Sequence, residues 1–182
     1  MAKKMFVSKT DDLPPHILKP EVHWQRAQGY FTMKMYEDAK RELRALPKEE
    51  PWEKRAKVFF LSIHQELESW EEAQKFARGL RYEFSEEVDW WIADAYATRR
   101  FESIAEARSI LLEGLALHYD DGLIRYNLAC YACVLKSPGE CIDFLKEAVK
   151  RDKKFKLLAL EDDDLIDVRE ALLKLGWGKT IV

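Results

Sequence analysis

A chain of 182 residues with 47% apolar content is long enough for one unit with a substantial core, and it is not composed like a disordered or fibrous protein. Its 33 acidic and 30 basic side chains leave a net charge of -3, which gives no electrostatic footprint for nucleic acid or an anionic membrane, so neither is an expected partner. Only 7 glycines and 6 prolines punctuate a chain rich in Ala, Leu, Glu, Lys and Arg, too few for the turns of a sheet protein, and an all-α fold is expected.

Residues 1–19 begin with the basic pair Lys3 and Lys4, but charge returns before an apolar stretch of signal-peptide length develops. Asp11, Asp12, Pro14 and Pro15, with Pro20 close behind, are incompatible with a regular helix, so an extended or disordered leader is expected there. No later run approaches the ~18 apolar residues that cross a bilayer, because charge interrupts each hydrophobic stretch within a turn or two. Cys130, Cys133 and Cys141 crowd into a 12-residue window, a poor disulfide framework that fits a reducing compartment, and the expected location is the cytoplasm.

From Pro20 onward the sequence repeats itself. The segments Tyr36–Ala39, Trp70–Ala73, Ile104–Ala107 and Pro138–Cys141 each place a small residue after an acidic one, and the small residues stand a constant 34 apart. Four residues after each comes Leu43, Ala77, Leu111 or Leu145, and seven after comes Leu46, Leu80, Gly114 or Ala148, which is one face of a helix. Twelve residues before each lies Ala27, Leu61, Ala95 or Ala129, on an earlier helix of the same unit. Antiparallel helices approach closely only where a small side chain stands at their crossing, so these alanines are packing requirements rather than chemistry. Helix-turn-helix pairs are expected over 20–53, 54–87, 88–121 and 122–153.

This pattern resembles the tetratricopeptide repeat family, in which Trp, Leu, Gly or Ala and Tyr on a first helix are followed by Ala, Phe and Pro within 34 residues. The first repeat carries Ala27, Tyr30, Tyr36, Ala39, Leu43, Leu46 and Pro51 at family positions, with His23 beside Trp24 where an aromatic is expected. Later repeats drift, with Ser85, Tyr119 and Lys153 at the closing proline and His64, Thr98 and Ala132 at the Tyr30 position. The resemblance covers residues 20–153 and implies a right-handed superhelical array of four helix pairs. Beyond it, residues 154–182 are similar to the ending common in bacterial proteins of the family, with capping helices around an acidic turn. Leu157, Leu158, Leu165, Ile166, Val168, Leu172 and Leu173 are the expected covering face, Asp163 or Asp164 the expected cap of the final helix, and Gly176 its stop.

Signatures of chemistry are absent from the sequence. Cys130 and Cys133 lie inside a predicted helix rather than opening one after a strand, and a zinc site lacks its other ligands, so they read as small buried hydrophobes. The run Glu161-Asp162-Asp163-Asp164 lacks the alternating ligands and glycine of a calcium loop. The four histidines are scattered, and no nucleophile elbow, zinc-protease motif or phosphate loop occurs. No catalytic residue, metal or cofactor is expected. Trp90 and Trp91 are adjacent and point about 100° apart on a helix, so both cannot be core.

In the resembled family the inner surface of the array is lined by first helices. The resemblance therefore maps a partner-binding groove onto Trp24, Gln28 and Phe31, then Val58, Ser62 and Gln65, then Ile92, Tyr96 and Arg99, then Tyr126, Cys130 and Cys133. Aromatic and arginine anchors with amides between them suit a peptide or helix of a protein partner. The clamp by which some members hold a C-terminal carboxylate is missing, because Trp24, Gln28, Phe59, Asp89 and Ala93 stand at its positions. A non-catalytic adaptor or scaffold, monomeric or weakly self-associating, is expected. A secretion-type chaperone masking an apolar segment is the alternative, and an unrecognised enzyme comes third.

Overall fold

The computed structural model describes residues 18–178, and among these there is no strand. The expected leader lies outside the described residues except for Leu18 and Lys19, and residues 179–182 lie outside them as well. The chain divides into two compact units, one running to Ala56 and the other from Lys57 onward.

In the first unit α1 (Pro20–Thr32) packs on α2 (Tyr36–Arg44). Pro20 stands in the first turn of α1, where its missing N–H costs nothing. Ala27, Ala39, Leu43 and Leu46 are buried between the pair, as their spacing requires. At the rim of this core His23 Nδ1 lies 2.6 Å from a carboxylate oxygen of the buried Glu42. The next helix, α3 (Trp52–Glu66), starts ahead of the expected boundary at residue 54, and within this unit Trp52 packs against Trp24 at 6.3 Å.

The second unit takes in the remainder of α3, then α4 (Trp70–Glu83), α5 (Val88–Phe101), α6 (Ile104–Leu117), α7 (Gly122–Val134) and α8 (Pro138–Arg151). Leu61 of α3 packs with Ala73 and Ala77 of α4, and from α4 to α8 each helix packs on the next. The architecture is an all-α helical repeat array. All sixteen predicted anchor positions are buried, and the residues at 39, 73, 107 and 141 have 0% exposure. Gly114 shows why one anchor has no side chain, since a Cβ there would sit 3.0 Å from the Trp91 ring. Trp91 is thus the buried member of its pair, donating from Nε1 to the Ser85 carbonyl, while the half-buried Trp90 donates to Glu87. Replacing Ala39, Ala73 or Ala107 with Leu is expected to cost about 1–3 kcal/mol through overpacking. Thermal denaturation checks this, and three variants melting like wild type would contradict the register.

The repeat is also written in the backbone. Lys34, Glu68 and Lys136 have φ of 57°, 51° and 61°, each one residue beyond the capping end of a first helix. At each bend two amides bond back across the turn: Met35 N to Tyr30 O, Ser69 N to His64 O, and Ser137 N to Ala132 O each span five residues, the wider loop of the pair. The third turn departs from the others. Glu102 has φ of -108°, and Ser103 instead caps α6 by accepting from Glu106 N.

A buried polar network joins α4 to α5. Asp94 is fully buried with Arg81 Nε 2.8 Å from its Oδ2, an ion pair without hydrogen-bond geometry, and Arg78 Nε lies 3.7 Å from Oδ1. Thr98 Oγ1 donates to Asp94, and Gln74 Nε2 donates both to Thr98 and to Glu102. The Arg81 guanidinium also rests over the rings of Trp91 and Tyr82, at 4.8 and 4.7 Å.

The ending is a cap, but with a different face from the one expected. It consists of α9 (Phe155–Glu161), a 3₁₀ turn (Asp163–Val168) and α10 (Arg169–Lys174). Phe155, Ala159, Leu165, Val168, Leu172 and Trp177 are buried in the same core cluster as α7 and α8. Four of the residues assigned to the covering face, Leu157, Leu158, Ile166 and Leu173, are exposed instead. The capping assignment is corrected too. Asp162 caps the 3₁₀ turn by accepting from Asp164 N, while Val168, which offers no side-chain bond, precedes α10. Gly176, with φ of 80°, closes α10 through Trp177 N to Leu172 O and Gly176 N to Leu173 O, as expected of a stop.

Candidate functional site

The cap decides which part of the predicted first-helix surface is open. Tyr126 is buried beneath it, stacked on Phe155 at 5.1 Å, and its hydroxyl donates to Asp162 Oδ2 at 2.8 Å. Cys130 is buried beside it and donates to the same oxygen at 3.6 Å. Arg99 grips Asp164 with both terminal nitrogens, Nη2 at 2.7 Å, and lies 5.4 Å over the Tyr131 ring. Tyr126, Cys130 and Cys133 are therefore buried, and the chain's own acidic turn occupies Tyr126, Cys130 and Arg99. Val58 and Ile92 pack against the two core clusters of this unit and serve the fold.

Cys130, Asp162 and Asp164 offer ligand atoms within 4.8 Å of one another, a juxtaposition that neither the cysteine spacing nor the acidic run suggested. Its chemistry is that of a latch. The Asp162 oxygens already accept from Tyr126, Cys130 and Asp164 N, and Asp164 is neutralised by a guanidinium that a cation would have to displace. Burial, with both carboxylates close by, pushes the Cys130 thiol well above its ordinary pKa, so the thiolate a metal or electrophile needs is disfavoured. Burial and the bond to Asp162 likewise push the Tyr126 phenol up. The hydrogen bond to Asp164 raises Arg99, which stays charged.

One open cleft of the second unit lies where the α3–α4 bend meets the last turn of α5. It has a volume of about 350 Å³ and is lined by Gln65, Glu66, Glu68, Trp70, Tyr96 and Arg100. Trp70 and Tyr96 meet edge to face at 5.7 Å, and the Arg100 guanidinium carbon lies 3.9 Å from the Tyr96 ring centre and 4.9 Å from that of Trp70. Of the predicted site residues the structure brings Gln65 and Tyr96 together here. Trp24, Gln28 and Phe31 belong to the first unit, where Trp24 packs on Trp52, Phe31 packs on Tyr36 at 5.7 Å and Gln28 is exposed. Trp70, Arg100, Glu66 and Glu68 were missed. Trp70 occupies the same repeat position as Tyr36, at the head of a second helix, and its ring reaches the following first helix, which a map restricted to first helices omits.

No family model and no curated protein matches the chain. No helix of the described residues is long and apolar enough to cross a membrane. The fold defines a helical repeat protein, and its function must be read from the chemistry of the cleft.

Proposed function

We propose that the chain is a cytoplasmic, non-catalytic interaction module of the tetratricopeptide type, an adaptor or scaffold that holds a peptide or helix of a protein partner without metal or cofactor. The 34-residue period of buried small anchors and left-handed bends supports the family, and the pair of the half-buried Trp70 and the exposed Tyr96 carries the function. Tyr96 is 39% exposed on α5, and an arginine and an amide flank it within one cleft. Aromatic and arginine side chains of this kind dominate binding energies when a partner covers them, because rigid rings supply area at little entropic cost. The partner lies along the α3–α4 bend and the end of α5, since the cap's acidic turn fills the face at Arg99 and Tyr126.

Replacing Tyr96 with Ala is expected to weaken capture of the native partner by about 2 kcal/mol, roughly thirtyfold, with helical content and melting temperature nearly unchanged. Affinity purification with quantitative mass spectrometry identifies the partner, and titration calorimetry with the purified pair reads the loss. Undiminished affinity in a folded variant would sink the cleft as the binding site.

A further inference from the structure

The slot formed by Trp70 and Tyr96 is filled by an arginine of the chain itself, and it is filled loosely. Arg100 makes no hydrogen bond and no ion pair among the described residues; it has the two ring contacts, and its charge acts on the Tyr131 phenol. Glu66 and Glu68 line the same cleft, both exposed, and their carboxylates likewise have no ion-pair partner among the described residues. An adjoining cavity of about 390 Å³ runs over Trp70 and Phe101 and adds Glu71 and Glu72, which Lys75 holds at 2.9 and 2.8 Å. The lining of the first cleft is thus two aromatic rings, an amide and two carboxylates, and its one cation, Arg100, is solvent-exposed in the last turn of α5.

From this arrangement we infer that the cleft receives a basic segment of the partner, an arginine side chain replacing Arg100 over Tyr96 and Trp70 while Glu66 and Glu68 accept its N–H donors. Charge complementarity selects this occupant. With Arg100 swung into solvent every charged group of the cleft is negative, and an incoming guanidinium recovers the ring contacts and gains two carboxylates that Arg100 does not reach. An acidic segment would face Glu66 and Glu68 beside a single cation. Arg100 acts as a resident competitor, holding the rings apart from other exposed apolar surface until a better-bonded cation arrives. This inference rests on the protein-binding reading above and adds the partner's chemistry to it.

The probes are two capped peptides, acetyl-Gly-Arg-Lys-Arg-Gly-amide and acetyl-Gly-Glu-Asp-Glu-Gly-amide, each titrated into the full chain. The Trp70 indole N–H resonance reports binding and is assigned with Trp70→Phe. The basic peptide is expected to shift that resonance saturably, and the affinity falls as salt rises. The double variant Glu66→Gln, Glu68→Gln should weaken it at least tenfold, and Arg100→Ala should strengthen it at least threefold by removing the competitor. Circular dichroism confirms that these surface variants stay folded. Absence of a saturable shift, indifference to the glutamate variants, or weaker binding in Arg100→Ala would each overturn the inference. Preference for the acidic peptide would overturn it as well, yet leave the protein-binding reading standing, since that reading fails only if Tyr96→Ala captures the native partner undiminished.

Discussion

Replacing Asp94 with Ala is expected to cost about 3–5 kcal/mol, because it removes the nearer and fully buried counter-charge of the Arg81 guanidinium and leaves it only Glu113, at 3.5 Å and largely in solvent. The same reasoning gives the double variant Arg81→Met, Asp94→Leu the opposite character. Removing both charges also removes the cost of desolvating them, so the pair of apolar substitutions should be near neutral or stabilising. Chemical denaturation of both variants provides the check, and a double variant as damaged as the single one would show that the ion pair itself holds α4 on α5. Titration gives a second readout. Burial, more than the opposing pull of Arg81, Arg78 and Thr98, raises the Asp94 pKa above its ordinary 3.8. A folded-state pKa raised above the unfolded one gives stability that is complete below 3.8 and is lost as pH rises through the folded value. The stability of wild type relative to Asp94→Asn should therefore fall across that window.

Deleting residues 154–182 should produce a second large effect, an aggregating or self-associating product. The segment buries Phe155, Leu165, Val168, Leu172 and Trp177 against α7 and α8. At about 1.5–3 kcal/mol per large apolar side chain, these five are worth roughly 8–15 kcal/mol, comparable with the ~5–15 kcal/mol that stabilises a whole domain. The deletion also uncovers Tyr126 and Cys130, leaving an apolar end to the array. Size exclusion with light scattering reads the outcome, and a monodisperse, fully helical monomer of residues 1–153 would contradict the capping role.

What could be read in the sequence was whatever depends on local spacing. Small residues at 39, 73, 107 and 141 must sit at helix crossings because nothing larger fits, so the period alone located the helix pairs and their buried faces. The cap resisted the same logic. Its middle is a 3₁₀ turn, in which side chains three apart eclipse, so Leu165 and Val168 point inward while Ile166 between them meets solvent. A search for 3.6-residue periodicity cannot find that phase. The engagement of Tyr126 and Arg99 by the cap was hidden for another reason: their partners, Asp162 and Asp164, stand 36 and 65 positions away in sequence, and no local pattern announces such a return of the chain. Arg100 was hidden by its neighbour, since adjacent arginines on a helix point about 100° apart and only one of them was on the mapped face.

The left-handed bends have a consequence for how such an array changes over generations. Glycine is the residue most at ease there, yet positions 34, 68 and 136 hold Lys, Glu and Lys, all exposed. Each bend is pinned by backbone bonds and lies outside the core, so at 34 and 68 the displayed side chain can be exchanged for one of opposite charge without disturbing the packing of either helix, whereas Lys136 is held by Asp167 of the cap at 2.5 Å. One of the three, Glu68, reaches the cleft. The bend at Glu68 thus acts as an address position, at which a single codon change can redirect the cleft toward a differently charged partner while the buried anchors are left as they are.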